Sequence, residues 1–360
     1  MKWEQKLLGE LIEIKKGSYV TKKESKEGPY PVILGGQEPA YYIDKFNHTG
    51  KAIVVSRSGA SAGFVSRWNE SIFVTDGFLI EPRKTIEFDY LYYLMKLHQP
   101  RLQGLQGGAA IPHVNPRIIS SIEVCLPSID EQIHIAQVFS AYDDLIENNQ
   151  KQIKLLEEAA QRLYKEWFVN LRFPGYEAAK IVDGVPEGWE RKAIGNLIEK
   201  VPRMKQIMTS DYLPNGKYPI IDQSRDFIAG YTNDEEAVIN AAVPTIVFGD
   251  HTRILKYVQF PFAKGADGTQ LIFSADSNMP QSLLYCSLIN VDLSNYHYAR
   301  HFKYLKAEEI LVPSFGVANK FERIVNPIFE EIQIMRNKCK NAEEARDRLL
   351  PKLMSGELEV

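Results

Sequence analysis

Residues Ile135 to Trp167, IAQVFSAYDDLIENNQKQIKLLEEAAQRLYKEW, decide the fold. Apolar residues recur there at steps of four and three: Ile135, Phe139, Tyr142, Ile146, Ile153, Leu156, Ala160, Leu163 and Trp167, with Asn149 the one polar member. A second stripe lies at a constant offset of 186, through Phe321, Val325, Ile328, Ile332, Met335, Cys339, Ala342, Leu349 and Leu353, and only Arg346 breaks it. A heptad seam sustained over about four repeats marks helices that pack along their length with coiled-coil geometry. Its recurrence at one offset marks an internal duplication. About 33 residues rising roughly 1.5 Å each make a rod of about 50 Å. A seam alone fits a dimerisation element or the core of a plain helix bundle equally well. The segments between the seams carry the distinction.

Each seam is preceded by a segment with the same opening. Trp3-Glu4-Gln5-Lys6-Leu7-Leu8-Gly9-Glu10-Leu11-Ile12-Glu13 matches Trp189-Glu190-Arg191-Lys192-Ala193-Ile194-Gly195-Asn196-Leu197-Ile198-Glu199, again at 186. Between opening and rod come short β-like runs punctuated by turn residues. In the first copy these include Tyr30 to Leu34, Ala52 to Val55 and Phe78 to Ile80; in the second, Tyr218 to Ile221, Thr245 to Phe248 and Leu271 to Phe273. Short helices are expected around Tyr90 to Lys96 and Gln281 to Leu288. The interiors drift from the constant offset, so one scaffold carries two different surfaces. Ser128-Ile129-Asp130-Glu131 has capping-box spacing at the start of the first rod. The second start, Ser314-Phe315-Gly316-Val317, lacks the glutamate. Pro351 should end or kink the second rod near Leu350.

The fold expected from this connectivity is α+β. Two globular mixed α/β domains are joined by two long antiparallel coiled-coil-like helices, with a pseudo-two-fold internal repeat. The boundaries are 1–128 for the first domain, 129–172 for the first helical spacer, 173–188 for a linker, 189–315 for the second domain and 316–360 for the second spacer.

Composition narrows the function. At 44% apolar and 25% charged residues this is ordinary globular material. No apolar run reaches the roughly 18 residues of a membrane span, and Met1 to Lys6 is no signal peptide, which points to the cytoplasm. Cys125, Cys286 and Cys339 lie far apart, without metal or disulfide spacing. A net charge of −3 argues against a general nucleic-acid binder. Residues 1–128, however, carry 16 basic and 13 acidic side chains, so any DNA contact would rest on local patches and on a partner's charge.

The repeated openings, the run Pro127-Ser128-Ile129-Asp130-Glu131-Gln132-Ile133, the exit Leu163 to Tyr176, the restart Val185-Pro186-Glu187-Gly188-Trp189-Glu190 and the ending Leu353-Met354-Ser355-Gly356-Glu357-Leu358 together carry a resemblance. The chain resembles the specificity subunit of type I restriction-modification systems along its whole length. The resemblance implies two target-recognition domains, each reading half of a bipartite double-stranded DNA target. It also implies two methyltransferase subunits docked on the helical region and restriction subunits that translocate and cleave. S-adenosylmethionine, ATP and magnesium would then belong to the partners, with no cofactor in this chain. The seam residues from Ile135 to Trp167 and from Phe321 to Leu349 are the candidates for helical packing and partner docking. A rod of about 50 Å exceeds one duplex turn of about 34 Å, long enough for separated half-sites.

The residues give no sign of catalysis. Gly59-Ala60-Ser61-Ala62-Gly63 and Gly104-Leu105-Gln106-Gly107-Gly108 lack the lysine of a phosphate-binding loop, and Asn115-Pro116-Arg117 lacks the second half of an adenine methyltransferase motif. His297 and His301 share helical spacing without an accompanying metal motif, and no metal site is expected. DNA contact calls for arginine and lysine toward phosphate and guanine, and for asparagine and glutamine toward adenine. The first-domain candidates are Gln37, Arg57, Ser58, Arg67, Arg101 and Gln106. Those of the second are Gln223, Arg225, His251, Arg253, Lys264, His297 and Arg300. Taken singly each is an ordinary solvated loop residue; as loops at matching places in two repeats they point to DNA. Arg57 and Arg253 lead because each follows an expected central strand. The competing function is a coiled-coil adaptor between proteins that never touches DNA, which the near-zero net charge mildly favours.

Overall fold

A computed structural model describes residues 3–23, 25–36, 38–104, 113–202, 204–296 and 300–359. They pack as two compact units, residues 1–148 with 338–360, and residues 149–337. Each unit therefore joins one globular segment to parts of both long helices.

In the first unit, β1 (Glu4–Leu7) leads through a short helix α1 (Leu8–Leu11) into β2 (Ile12–Lys16). There follow β3 (Tyr30–Ile33), β4 (Tyr41–Ile43), β5 (Ala52–Ser56), β6 (Val65–Trp68), β7 (Phe73–Val74) and β8 (Gly77–Pro82). These form a four-stranded sheet in the order β2-β8-β5-β6 and a three-stranded sheet in the order β4-β3-β7. All five residues of β5 are buried, as its unbroken apolar run requires of a central strand. Helix α2 (Phe88–Gly104), expected over a shorter stretch, packs Tyr90, Leu91, Leu94 and Met95 into the core behind the larger sheet. A short α3 (Pro116–Ser120) and β9 (Glu123–Leu126) close the globular part, and β9 pairs antiparallel with β1.

Helix α4 then runs Ile129–Tyr164. Ser128 caps its start, with the Glu131 N–H donating to Ser128 Oγ at 3.4 Å. A π-helical turn, Lys165–Val169, extends it and turns Trp167 and Phe168 inward.

The second unit repeats the plan. A hairpin of β10 (Ile181–Val182) and β11 (Val185–Pro186) precedes β12 (Glu190–Ala193), β13 (Tyr218–Ile221), β14 (Gly230–Thr232) and β15 (Val238–Ile239). After these come β16 (Thr245–Gly249), β17 (Leu255–Val258), β18 (Phe262–Lys264) and β19 (Thr269–Ile272). The sheets have the orders β17-β16-β19 and β14-β13-β18-β15. Helix α5 (Gln281–Ile289) matches its expected span to one residue. Helix α6 (His301–Ala307) and β20 (Glu309–Val312), paired with β12, lead into α7 (Phe315–Met354).

The two seams pack against each other inside each unit, and the helices run antiparallel there. In the first unit Ile146 clusters with Cys339 and Ala342, while Asp143 meets Arg346. In the second, Glu157 meets Arg336 and Trp167 packs on Phe321, with ring centroids 5.8 Å apart.

Three expectations need correction or completion. Helix α7 does not stop at Leu350 but runs through Pro351 to Met354. Leu353 and Met354 are buried in the core of the first unit, and that anchorage holds the last turn in spite of the proline. Arg346, whose partner the sequence leaves open, pairs with Asp143 at 2.8 Å and with Asp347. Asn149, the polar member of the first seam, is buried with its amide nitrogen unpartnered.

No helix among the described residues is long and apolar enough to cross a membrane. Among the same residues no group of three or more His, Cys, Asp or Glu side chains is placed to hold a metal.

Candidate nucleic-acid interface

In each unit the loops at one end of the central strand gather into a cluster. In the first unit β5 ends at Ser56, and the chain turns through Arg57 and Ser58. The Arg57 N–H donates to the Asp76 carbonyl at 3.2 Å, and the Arg57 carbonyl accepts from the Val114 N–H at 2.9 Å. The Ser58 hydroxyl donates to the Asp76 carboxylate, and the Arg57 guanidinium lies 3.6 Å from the same group. Gly35 comes in beside them with φ of +72°, close enough that a Cβ there would stand 3.2 Å from the Ser58 carbonyl. The loops after β3, after β5, before β8 and before α3 therefore meet around Asp76. Arg57 is thus held by its backbone, with a guanidinium that rests beside Asp76 and a side chain 36% exposed.

The second unit builds the same cluster from different residues. Gln223, after β13, donates through Nε2 to the Asp267 carbonyl at 2.7 Å and accepts from the His251 N–H at 3.0 Å. Thr252 Oγ1 donates to the Gln223 carbonyl at 2.7 Å. Gly268 closes against the His251 ring with φ of +73°, where a Cβ would stand 2.6 Å from the imidazole. Arg253 adopts φ of +62°, and its Nη1 donates to the Leu293 carbonyl at 2.9 Å. Such a conformation is costly for a residue with a Cβ and is held here by surrounding bonds.

The loop carrying Gln223 and Arg225 is fixed from behind. Ser224 donates to the Asp222 carboxylate from both its N–H and its hydroxyl, and the buried Lys256 ammonium lies 3.8 Å from that carboxylate and donates to the Asp226 carbonyl. Burial pushes the Lys256 pKa down, with Asp222 and Asp226 acting against it. Asp250 fixes the start of α6 by accepting the His301 N–H at its carbonyl and the Phe302 N–H at its carboxylate, at 2.9 and 2.8 Å. Burial, followed by the nearby Arg253 charge, pushes the His301 pKa down.

Of the expected contacts, Arg57 and Ser58 come together in the first cluster, and Gln223, His251 and Arg253 in the second. Arg225 is exposed beside Gln223, and Arg300 is exposed immediately before α6. Lys264 ends β18, where burial lowers its pKa. Arg101 is exposed on α2, near the point where Gly63 backs onto Leu102 and Gln103. Gln37, Gln106 and His297 lie outside the described residues.

Arg67 is the exception. It sits on β6 rather than in a loop, and its guanidinium reaches Asp89 and Asp143, each at 3.2 Å. Burial works against its charge, but Tyr93, Tyr92 and the two carboxylates hold its pKa above the usual value. The seam residues likewise turn inward, toward the facing helix and the globular cores. Asp76, Asp250 and the Gln223 side chain organise the loops; the sequence names Gln223 as a candidate contact but marks Asp76-Gly77 and Gly249-Asp250 only as turns.

Comparisons with known proteins bear on the family and the fold. The family described as type I restriction modification DNA specificity domain matches residues 1–158. The MjaIX specificity subunit of a type I restriction enzyme from Methanocaldococcus jannaschii is 28% identical over 340 residues, covering 86% of this chain and 78% of its own. A putative type I specificity subunit from Mycoplasma pneumoniae is 23% identical and covers 98% of this chain and 96% of its own. The crystal structure of a type I restriction-modification S subunit from M. genitalium superposes with a TM-score of 0.63 at 19% identity, over 98% of this chain and 96% of that one, and so shares the fold.

Proposed function

We infer that the chain belongs to the specificity subunits of type I restriction-modification systems, and from that premise its two loop clusters are the surfaces that read DNA. The chain itself performs no chemistry. It supplies the address, and methylation and cleavage lie in other subunits. The observation that carries this reading is the repeated cluster: each unit places an arginine, Arg57 or Arg253, in the loop that follows its central strand, and that loop is fixed by hydrogen bonds from the adjoining loops. Preorganised side chains of this kind read base edges without paying for order on binding.

Each domain would read one half of a bipartite target. Two methyltransferase subunits, and through them restriction subunits, would dock on outward faces of the helices, where Leu145, Leu155, Ile324 and Ile334 are exposed. S-adenosylmethionine, ATP and magnesium would enter with those subunits. An adaptor that never meets DNA has no use for two matched clusters of fixed polar loops.

Arg57→Ala and Arg253→Ala test the assignment separately. Each is expected to weaken binding by about 1–3 kcal/mol and to relax sequence preference in one half-site only. Titration of the assembled complex against DNAs altered in either half measures this. Uniform weakening on all sequences would make both arginines phosphate contacts, and no change in either would remove them from the interface.

A further inference from the structure

The strand registers reveal a joint built twice with opposite chemistry. Ile53 lies between Arg67 and Ile80, and Ile246 lies between Tyr257 and Ile272, so Arg67 and Tyr257 occupy the same rung of corresponding edge strands. The seam offset of 186 places Asp143 of α4 in correspondence with Phe329 of α7, and Arg346 with Ala160. In the first unit these positions form a polar clamp. Arg67 reaches Asp143 at 3.2 Å and lies 4.6 Å over the Tyr92 ring, Tyr93 donates to Asp143 at 2.7 Å, and Arg346 donates to Asp143 at 2.8 Å from the other helix. In the second unit they form an aromatic stack. Tyr257 lies 4.7 Å from Phe329 and 5.1 Å from Tyr285, and Ala160 is fully buried.

A duplicated scaffold faces a problem of assignment. Two globular domains of one plan meet two helical seats of one plan, and shape alone does not tell them apart. Chemistry at the joint does. Seated against Asp143, Tyr257 would leave that half-buried carboxylate paired with Arg346 alone, without its second guanidinium; seated against Phe329, Arg67 would meet an aromatic ring in place of the Asp143 carboxylate. Removing one partner of a buried ion pair is far more damaging than replacing the whole pair with apolar groups.

We propose that the Arg67–Asp143–Arg346 clamp and the Tyr257–Phe329–Tyr285 stack are non-interchangeable joints that assign each globular domain to its own helical seat. Arg67 is then a positioning residue, fixing the orientation in which the first domain presents the Arg57 loop. That last step rests on the reading of this domain as DNA-binding.

The test uses the full chain in complex with methyltransferase subunits, comparing wild type, R67A, R67Y, D143F and the transplant R67Y/D143F/R346A. Thermal melting is recorded beside adenine modification on DNAs altered in either half-site. R67A is expected to lose about tenfold or more of its discrimination in the first half-site and none in the second. The transplant, which copies the second joint, is expected to recover both melting and discrimination beyond either single variant. The proposal is overturned if R67A keeps its discrimination, if both half-sites decay together in step with melting, or if the transplant folds without recovering. Should wild type itself show no half-site discrimination, the DNA reading fails instead. Melting then decides the joint alone: recovery in the transplant keeps it, and additive losses overturn it.

Discussion

Phe321→Ala is expected to destabilise the second unit by about 3–5 kcal/mol, the range for removing a fully buried phenylalanine from a core that cannot collapse around the gap. Phe321 has no exposed surface and meets Tyr164, Trp167 and Phe168 at centroid distances of 6.4, 5.8 and 5.1 Å. Those rings are held in turn: Phe168 packs on Trp189 at 5.6 Å, and the π-helical turn that carries Trp167 and Phe168 fixes their backbone. The seam and the globular core are therefore one apolar cluster here, and the variant should loosen both. Urea unfolding followed by tryptophan emission reports it, because Trp167 and Trp189 both belong to this cluster. Ile324→Ala, on the exposed face of the same helix, is the control and should change stability by less than about 0.5 kcal/mol. Equal losses in the two variants would mean that the seam is not what holds the helices.

The second large effect concerns the helices as spacers. Adding four residues to each long helix, after Asn148 and after Asn337, falls at the division between the units and leaves the packing inside each intact. Four residues add about 6 Å of rise and about one turn, which keeps the seam near its phase. The unread gap of the target is expected to grow by one or two base pairs of about 3.4 Å each, with both half-sites unchanged. Two added residues rotate the seam by about 200° and should abolish modification instead of shifting it. Mapping modified adenines separates the outcomes. Altered half-sites with the old gap would end the spacer idea.

How far the sequence foretold this follows from the range of the interactions. The seams were legible because period and offset are local signals, and buried residues such as Phe139, Ile146, Phe321 and Val325 lie on the expected face. The Ser128 cap was legible for the same reason. Arg57 and Arg253 could be placed after central strands, because an apolar run followed by polar turn residues marks a strand end. Arg67 could not be distinguished from them. Its partner Asp143 lies 76 residues away, on a helix the local sequence does not mention. The same holds for Asp250 and His301, whose meeting depends on the fold closing first. Pro351 does not end the helix because the local rule about helix ends is outweighed by the burial of Leu353 and Met354 in a domain more than two hundred residues earlier in the chain.

The most direct measurement is co-expression of the chain with a cognate type I methyltransferase subunit, followed by mapping of modified adenines across the host DNA. The account predicts one two-part motif with a fixed unread gap, present only when this chain is present. A stable, purified complex that leaves no sequence-dependent modification and binds no DNA would contradict it and make the chain an adaptor between proteins.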